Sequence, residues 1–476
     1  MNRTIGLLLA AISTTSAAFG AEVSSPNASL NEREQQIVAA SSRPAHYVVP
    51  RHSRLAQTPP LGWNSYDAFG DSVTEEETLA NAGWMKEHLL PLGWDTVVVD
   101  FRWYDPQPTG DDRLLNKIRV GAALAADQFG RLQPATNRFP SAADGAGFKP
   151  LAAKLHGWGL KLGIHVMRGI PRQAVLANTL IEPGNFSAAQ AGEPNDKCSW
   201  CPDMFGVRDN EAGQAWYNAC VRLWASWDVD YIKVDDLSEP YHTPEIAMLR
   251  RALDQYGPHI VFSTSPGPTT TSRAGDIADK ANLWRISGDF WDRWPKLNEQ
   301  FDLLAQWQGA GGPGHWPDAD MIPLGRIAIR SKLGGDPHWT HFTRDEQLTL
   351  ISLWSLAPSP LMLGMNLPDN DEWTTALLTN PEVIAVDQDP LGRPARRIFV
   401  PGLAAELWLR DLNDGAHAAG VFNRTAQPVK VEFAWELLGN GGKPKVRDLW
   451  LRQDISQAGK FSAEIPAHNG MLLRVN

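Results

Sequence analysis

The chain has 476 residues, 43% hydrophobic and 21% charged. This is the composition of a globular protein with room for one large domain and a smaller companion, and it excludes a fibre, a disordered chain or a disulfide-stapled miniprotein. A net charge of -10 without any block of Lys and Arg offers nothing for a phosphate backbone to bind, so no nucleic-acid partner is expected.

The chain opens MNRTIGLLLAAISTTSAAFGAEV, with Arg3 ahead of an apolar run from Ile5 to Ile12 and small residues after it. That order predicts a signal peptide over residues 1–21, cleaved after Ala18, Gly20 or Ala21, and export to the periplasm or beyond. The run is too short to span a bilayer, and no later apolar stretch is long enough, so no membrane partner is expected. Residues 22–57 are rich in Ser, Ala, Pro and charge without a sustained period. They read as an arm, with order beginning near TPPLGWNSYDAF.

From there short apolar runs alternate with helical patterns. Strands are predicted at Leu61 to Tyr66, Thr96 to Asp100, Leu160 to Val166, Asp230 to Asp235, His259 to Ser265, Asn282 to Asp289, His315 to Met321 and Pro360 to Leu363. Helical patterns such as EETLANAGWMKEHLLPLG and EAGQAWYNACVRLWASW separate them. Strand, helix, strand repetition requires parallel crossovers, and eight such units predict an α/β fold, a (β/α)8 TIM barrel over residues 58–392. The rival doubly wound sheet lacks its phosphate-binding glycine turn. Beyond it, short alternating runs (AAELWLRDL, HAAGVFNRT, VKVEFAW, GMLLRV) predict a C-terminal antiparallel β-sandwich domain over residues 393–476.

Of three cysteines, Cys198 and Cys201 in CSWCPD can form a local disulfide, and Cys220 sits in a helical pattern as a buried thiol. No second ligand pair follows at zinc-site spacing. Twenty tryptophans supply flat apolar faces that suit sugar rings, though Trp also fills cores.

A barrel does its chemistry at the carboxyl ends of its strands and in the loops after them. Asp100, His165, Asp235, Ser265 and Asp289 all close predicted strands. In YIKVDD, period-two alternation puts Tyr231, Lys233 and Asp235 on one face and Asp236 on the other. Lys233 and Asp235 then either pair as a buried bridge or face the barrel mouth, where the ammonium keeps the carboxylate ionised. Two carboxylates converging from different strands, Asp235 and Asp289, are the equipment for glycosidic bond cleavage: one attacks, the other protonates the leaving oxygen and then activates water. A metal hydrolase would want more histidines at strand ends than His165 alone, and a serine hydrolase its G-x-S-x-G elbow.

TPPLGWNSYDAFG, VVVDFRW, GLKLGIHV, DYIKVDD, LWRISGD, GPGHWPDADM and VIAVDQDPLG resemble, in order and spacing, the motifs of the α-galactosidase family, glycoside hydrolase family 27, as a divergent bacterial-type, melibiase-like member. The resemblance implies a retaining, exo-acting enzyme on oligo- or polysaccharide, with no metal and no organic cofactor. It puts the nucleophile on Asp235, the acid/base on Asp289, and sugar contacts on Trp63, Asp100, Lys233, Arg285 and Asp320. His165 stands where relatives commonly have Tyr, and either bonds a sugar hydroxyl or orients a carboxylate. Relatives that take galactose show two consecutive aspartates after the second strand; here the second is Phe101. At the fifth strand, Ser265 stands where galactosidases have Glu and N-acetylgalactosaminidases have Ser. The expected activity is release of a terminal α-galactose-like residue. The alternatives are a β-L-arabinopyranosidase or an α-N-acetylgalactosaminidase on the same scaffold, or a silent glycan-binding protein. The oligomeric state is not legible.

Overall fold

The computed structural model describes residues 30–41, 55–108, 123–438, 444–455 and 459–476. The expected signal peptide lies outside them.

Eight parallel strands form one sheet: β1 (Leu61–Asn64), β2 (Thr96–Val99), β3 (Lys161–Met167), β4 (Tyr231–Asp235), β5 (Val261–Thr264), β6 (Leu283–Arg285), β7 (Trp316–Asp318) and β8 (Leu361–Leu363). Each pairs with its neighbour in sequence, and β8 returns to pair with β1. Closure runs through Ile322, just beyond β7. Its N–H donates to Met362 O at 2.8 Å, and its carbonyl accepts from Gly364 N–H at 3.1 Å. The barrel expected from the sequence is therefore the one observed, with every strand where its apolar run placed it.

Local signals explain the helices between strands. Glu75–His88 starts on a capping box in which Thr74 and Glu77 satisfy each other's backbone N–H groups, and it stops at Leu89 just ahead of Leu90-Pro91. Glu211–Ser226 is capped by Asn210, and its buried face carries Trp216, Ala219, Cys220 and Trp224.

The N-terminal arm departs from expectation. Glu32–Ser41 is a helix with Ile37 fully buried, packed on the helix Glu372–Leu378. Asn31 and Glu34 form a reciprocal cap at 2.9 and 2.8 Å, Glu34 pairs with Arg344, and Arg33 lies 3.6 Å from Asp345. The segment is too short to show a period, but N-x-x-E ahead of Ile37 and Val38 is the capping signal that marks it.

The C-terminal region pairs a six-stranded antiparallel sheet with a two-stranded one around Leu407, Leu409, Val421, Val431, Phe433, Trp435, Phe461 and Leu473. It is a β-sandwich. It packs on the outer helices of the barrel, with Phe301 against Trp408 and Phe422 and the Arg410 guanidinium donating to Ser355 O at 2.6 Å.

All three cysteines are free thiols. The local disulfide that Cys198 and Cys201 could form is absent, and Cys201 N–H instead points at Cys198 Sγ at 3.4 Å. Cys220 is a buried thiol, as its helical pattern implied.

Candidate active site

The strand register stacks inward-facing side chains in layers. His165 lies opposite Lys233, and Asp100, one residue past the Val99–Ile164 pair, reaches the same level. One level higher are Asp235, Ser265 and Arg285, at the ends of β4, β5 and β6. Lys233 Nζ bonds Asp100 Oδ2 at 3.0 Å, and Asn64 donates to the same oxygen at 2.7 Å. The buried bridge weighed for Lys233 and Asp235 is thus formed with Asp100 instead. Burial alone would raise the Asp100 carboxyl. Lys233, His165, the Phe101 N–H and Asn64 outweigh it and hold the group at about 2, while Asp100 in turn pushes the Lys233 ammonium up against its own burial.

Asp235 is left to face the cavity. Its Oδ1 accepts the Asp236 N–H at 2.7 Å, and its Oδ2 lies 3.0 Å from His165 Nε2. His165 is fully buried, with the Phe101 ring edge-on to it at 5.5 Å, and it contacts the Asp235 carboxylate without lining the pocket itself. Asp236 turns away with φ 65° and pairs at 2.9 Å with Arg168, which also holds Glu245 and Asp196. This network braces the loop behind Asp235.

On the opposite wall Arg285 Nη2 bonds Asp320 Oδ2 at 2.6 Å and lies 3.6 Å from Asp289 Oδ1. Asp320 takes φ 84° and accepts the Phe290 N–H at 2.7 Å. Burial pushes its carboxyl up to about 6 despite Arg285, with Asp289 adding to the rise. The Asp289 side chain is 42% exposed against 10% for Asp235. One carboxylate therefore sits at the floor and one at the mouth.

Together these residues line a pocket of about 390 Å³, counted with its open mouth. Asp100, Lys233, Asp235, Ser265, Arg285, Asp289 and Asp320 all belong to it. Trp63 does not. Alternation along β1 turns Asn64 inward and Trp63 toward the helices, where its indole donates to Met365 O at 2.7 Å and packs edge-on to Phe69. The aromatic wall comes from Tyr66, under Lys233 Nζ at 5.9 Å from its ring. Sequence reasoning missed Tyr66 and Asp67 because it ran the first strand through Tyr66, whereas the strand ends at Asn64 and both residues open the short helix Tyr66–Phe69. Asp67 is buried, its carboxyl raised by burial and then by Asp320, and a Cβ at Gly364 would lie 1.9 Å from its Oδ2. Only glycine fits beside it.

Residues 210–389 match the sequence family described as alpha galactosidase A, and residues 404–475 its C-terminal beta sandwich domain. A plant α-galactosidase from Oryza sativa subsp. japonica is 28% identical over 429 residues, covering 87% of this chain and 84% of the relative. The GH27 β-L-arabinopyranosidase of Geobacillus stearothermophilus superposes with a TM-score of 0.84 at 43% identity, over 88% of this chain and 97% of that one. The chain belongs to glycoside hydrolase family 27. A putative α-N-acetylgalactosaminidase from Bacillus halodurans C-125 is also similar, at 40% identity, a TM-score of 0.79, and coverage of 90% and 99%. The glycosidase is thus a bacterial-type member that diverges from the plant α-galactosidases.

Electrostatics of the floor give this glycosidase a stability signature. Lys233→Met would leave Asp100 buried without its cation, and is expected to lower the unfolding free energy at pH 7 by about 3–5 kcal/mol. Asp100 is depressed in the folded chain, so its contribution is complete above the unfolded value of about 4 and is lost as the pH falls through about 2. The deficit of the variant should therefore shrink in denaturant titrations taken from pH 7 toward pH 2. A deficit independent of pH would contradict the pairing.

Proposed function

We propose that this enzyme is an exo-acting, retaining glycosidase for terminal pyranosides of galacto configuration, taking β-L-arabinopyranosides in preference to α-D-galactosides. Asp235, oriented by His165 at the pocket floor, is the nucleophile. Asp289, at the solvent side where a leaving group departs, is the acid and then the base. Asp100, Lys233, Asp320, Arg285 and Ser265 present the polar groups that read the sugar's hydroxyls.

The observation that carries the choice of sugar is Phe101. Its side chain is 1% exposed, lines the pocket, and is backed by His165 and by Trp200 at 5.7 Å between ring centroids. β-L-arabinopyranose is α-D-galactose without its hydroxymethyl group. A rigid apolar wall where relatives that take galactose carry a second aspartate removes a hydroxyl acceptor and fills space, which penalises the hexose and not the pentose. The 43% identity to the Geobacillus arabinopyranosidase, against 28% to the rice α-galactosidase, supports the same choice.

Initial rates on nitrophenyl β-L-arabinopyranoside, α-D-galactoside and α-N-acetylgalactosaminide test it. The pentoside should give the highest kcat/KM, and Phe101→Asp should move the ratio toward the galactoside by about 10- to 100-fold, the scale of a pocket that gains or loses one group. A wild-type preference for galactoside would overturn the choice of sugar; a preference for the N-acetyl sugar would transfer it to Ser265.

Export is part of the same reading, supported by the order of charge, apolar run and small residues in the first 21 positions. N-terminal sequencing of protein recovered from periplasm or medium should begin between residues 19 and 22. An intact Met1 on an exported, active protein would contradict it.

A further inference from the structure

Beyond the sugar pocket, two clusters of side chains among the described residues have the composition of a metal site. In the first, Asp292, His338 and His341 each offer one ligand atom, and the three atoms lie within 4.8 Å of one another. Asp292 Oδ2 is 2.9 Å from His338 Nε2 and 2.8 Å from His341 Nδ1. The two imidazole rings stack at 4.0 Å between centroids with planes 26° apart, so both present a nitrogen to the same oxygen from the same side. The Asp292 side chain is 3% exposed and that of His341 51%, which gives a buried anchor and an open approach for an ion.

The same Asp292 oxygen also accepts the His341 backbone N–H at 2.7 Å, so the chain brings both imidazoles to it by main-chain as well as side-chain contacts. His338 Nδ1 lies 2.6 Å from Asp336 O, a group that only accepts, so Nδ1 carries a hydrogen. With Nδ1–H held by a backbone carbonyl, His338 has the tautomer that leaves Nε2 free to ligate, and this second hydrogen bond is the usual orienting contact of a metal-bound imidazole. Neighbouring ligands on a tetrahedral ion with bonds of about 2.0 Å stand roughly 3.3 Å apart, so the observed spacings need to open by only a few tenths of an ångström.

A second cluster, Asp196, His242 and Glu245, has similar composition, but the Arg168 guanidinium already occupies its two carboxylates at 2.7 and 2.6 Å. Among the described residues no lysine or arginine forms an ion pair with Asp292.

We propose that Asp292, His338 and His341 bind one divalent transition-metal ion of the kind that favours imidazole, zinc above all, at a site separate from the reacting carboxylates. Two imidazoles with one carboxylate select such ions over magnesium or calcium, which want oxygen. The ion is a clamp between loops. Asp292 directly follows Phe290, whose N–H holds Asp320, and Trp291, which lines the sugar pocket. The loop ahead of His338 already rests on that tryptophan: a Cβ at Gly334 would meet the Trp291 ring at 2.7 Å. Joining His338 and His341 to Asp292 through a metal fixes Trp291 at the pocket mouth.

The test uses full-length, chelator-stripped protein and zinc alone as the probe. Calorimetric titration should show one zinc per chain, and zinc should raise the melting temperature. His341→Ala removes a half-exposed ligand and leaves the buried pair in place, so it should fold, bind zinc at least about a hundredfold more weakly, and lose the thermal shift. Asp292→Asn should do the same where it folds. Wild type that takes up no zinc, or zinc bound equally by wild type and His341→Ala, would overturn the site.

Discussion

Asp235→Asn is expected to lower kcat/KM by at least about 10⁴-fold, the order seen when a nucleophile is removed from a catalytic unit, with circular dichroism and melting temperature close to wild type. The amide keeps the shape of the carboxylate, can still accept the Asp236 N–H, and can still meet His165 Nε2. What it lacks is the charge and the lone pair that attack the anomeric carbon. Since Lys233 is committed to Asp100 and not to Asp235, the buried Lys233–Asp100 pair stays intact and the fold has no reason to change. Retained activity in this variant would remove Asp235 from the chemistry.

Asp289→Ala should show a loss that depends on the leaving group. On a natural glycoside, whose departing alkoxide needs a proton, a drop of about 10²- to 10⁴-fold is expected. On a nitrophenyl glycoside the first step should survive, and slow hydrolysis of the intermediate should be relieved by azide, a small anion that needs no general base. The position supports the role: the group is 42% exposed at the mouth and is held near Arg285 without being fully paired by it. Equal losses on both classes of substrate, with no azide rescue, would assign Asp289 to binding instead.

Much of this architecture was legible because two periodicities carry it. Eight apolar runs bounded by turns, separated by 3.6-period segments, leave the chain little choice but a parallel barrel, and polar strand ends mark where its chemistry sits. Alternation along YIKVDD correctly put Lys233 and Asp235 inside and Asp236 outside. The same rule, applied to LGWN, would have turned Trp63 outward and directed attention past the strand to Tyr66 and Asp67. Resemblance to a motif placed an aromatic in the site without asking which face it occupied.

What stayed hidden depends on distance in sequence. Lys233 pairs with a carboxylate 133 residues away, and only the register of β2, β3 and β4 brings them to one level. His165 reads from sequence as either a sugar ligand or a carboxylate partner; only the fold shows it buried behind Phe101 and in contact with Asp235. The helix at Glu32–Ser41 was missed because ten residues are too few for a periodic signal, while its stability comes from docking on the barrel.

The account rests on a covalent intermediate at Asp235, and trapping it is the most direct measurement. Incubation with an activated 2-deoxy-2-fluoro glycoside of the preferred sugar, followed by peptide mass spectrometry, should find one sugar per chain, attached to the peptide that contains Asp235. Attachment to any other carboxylate, or no adduct together with a product released in the inverted configuration, would contradict the account.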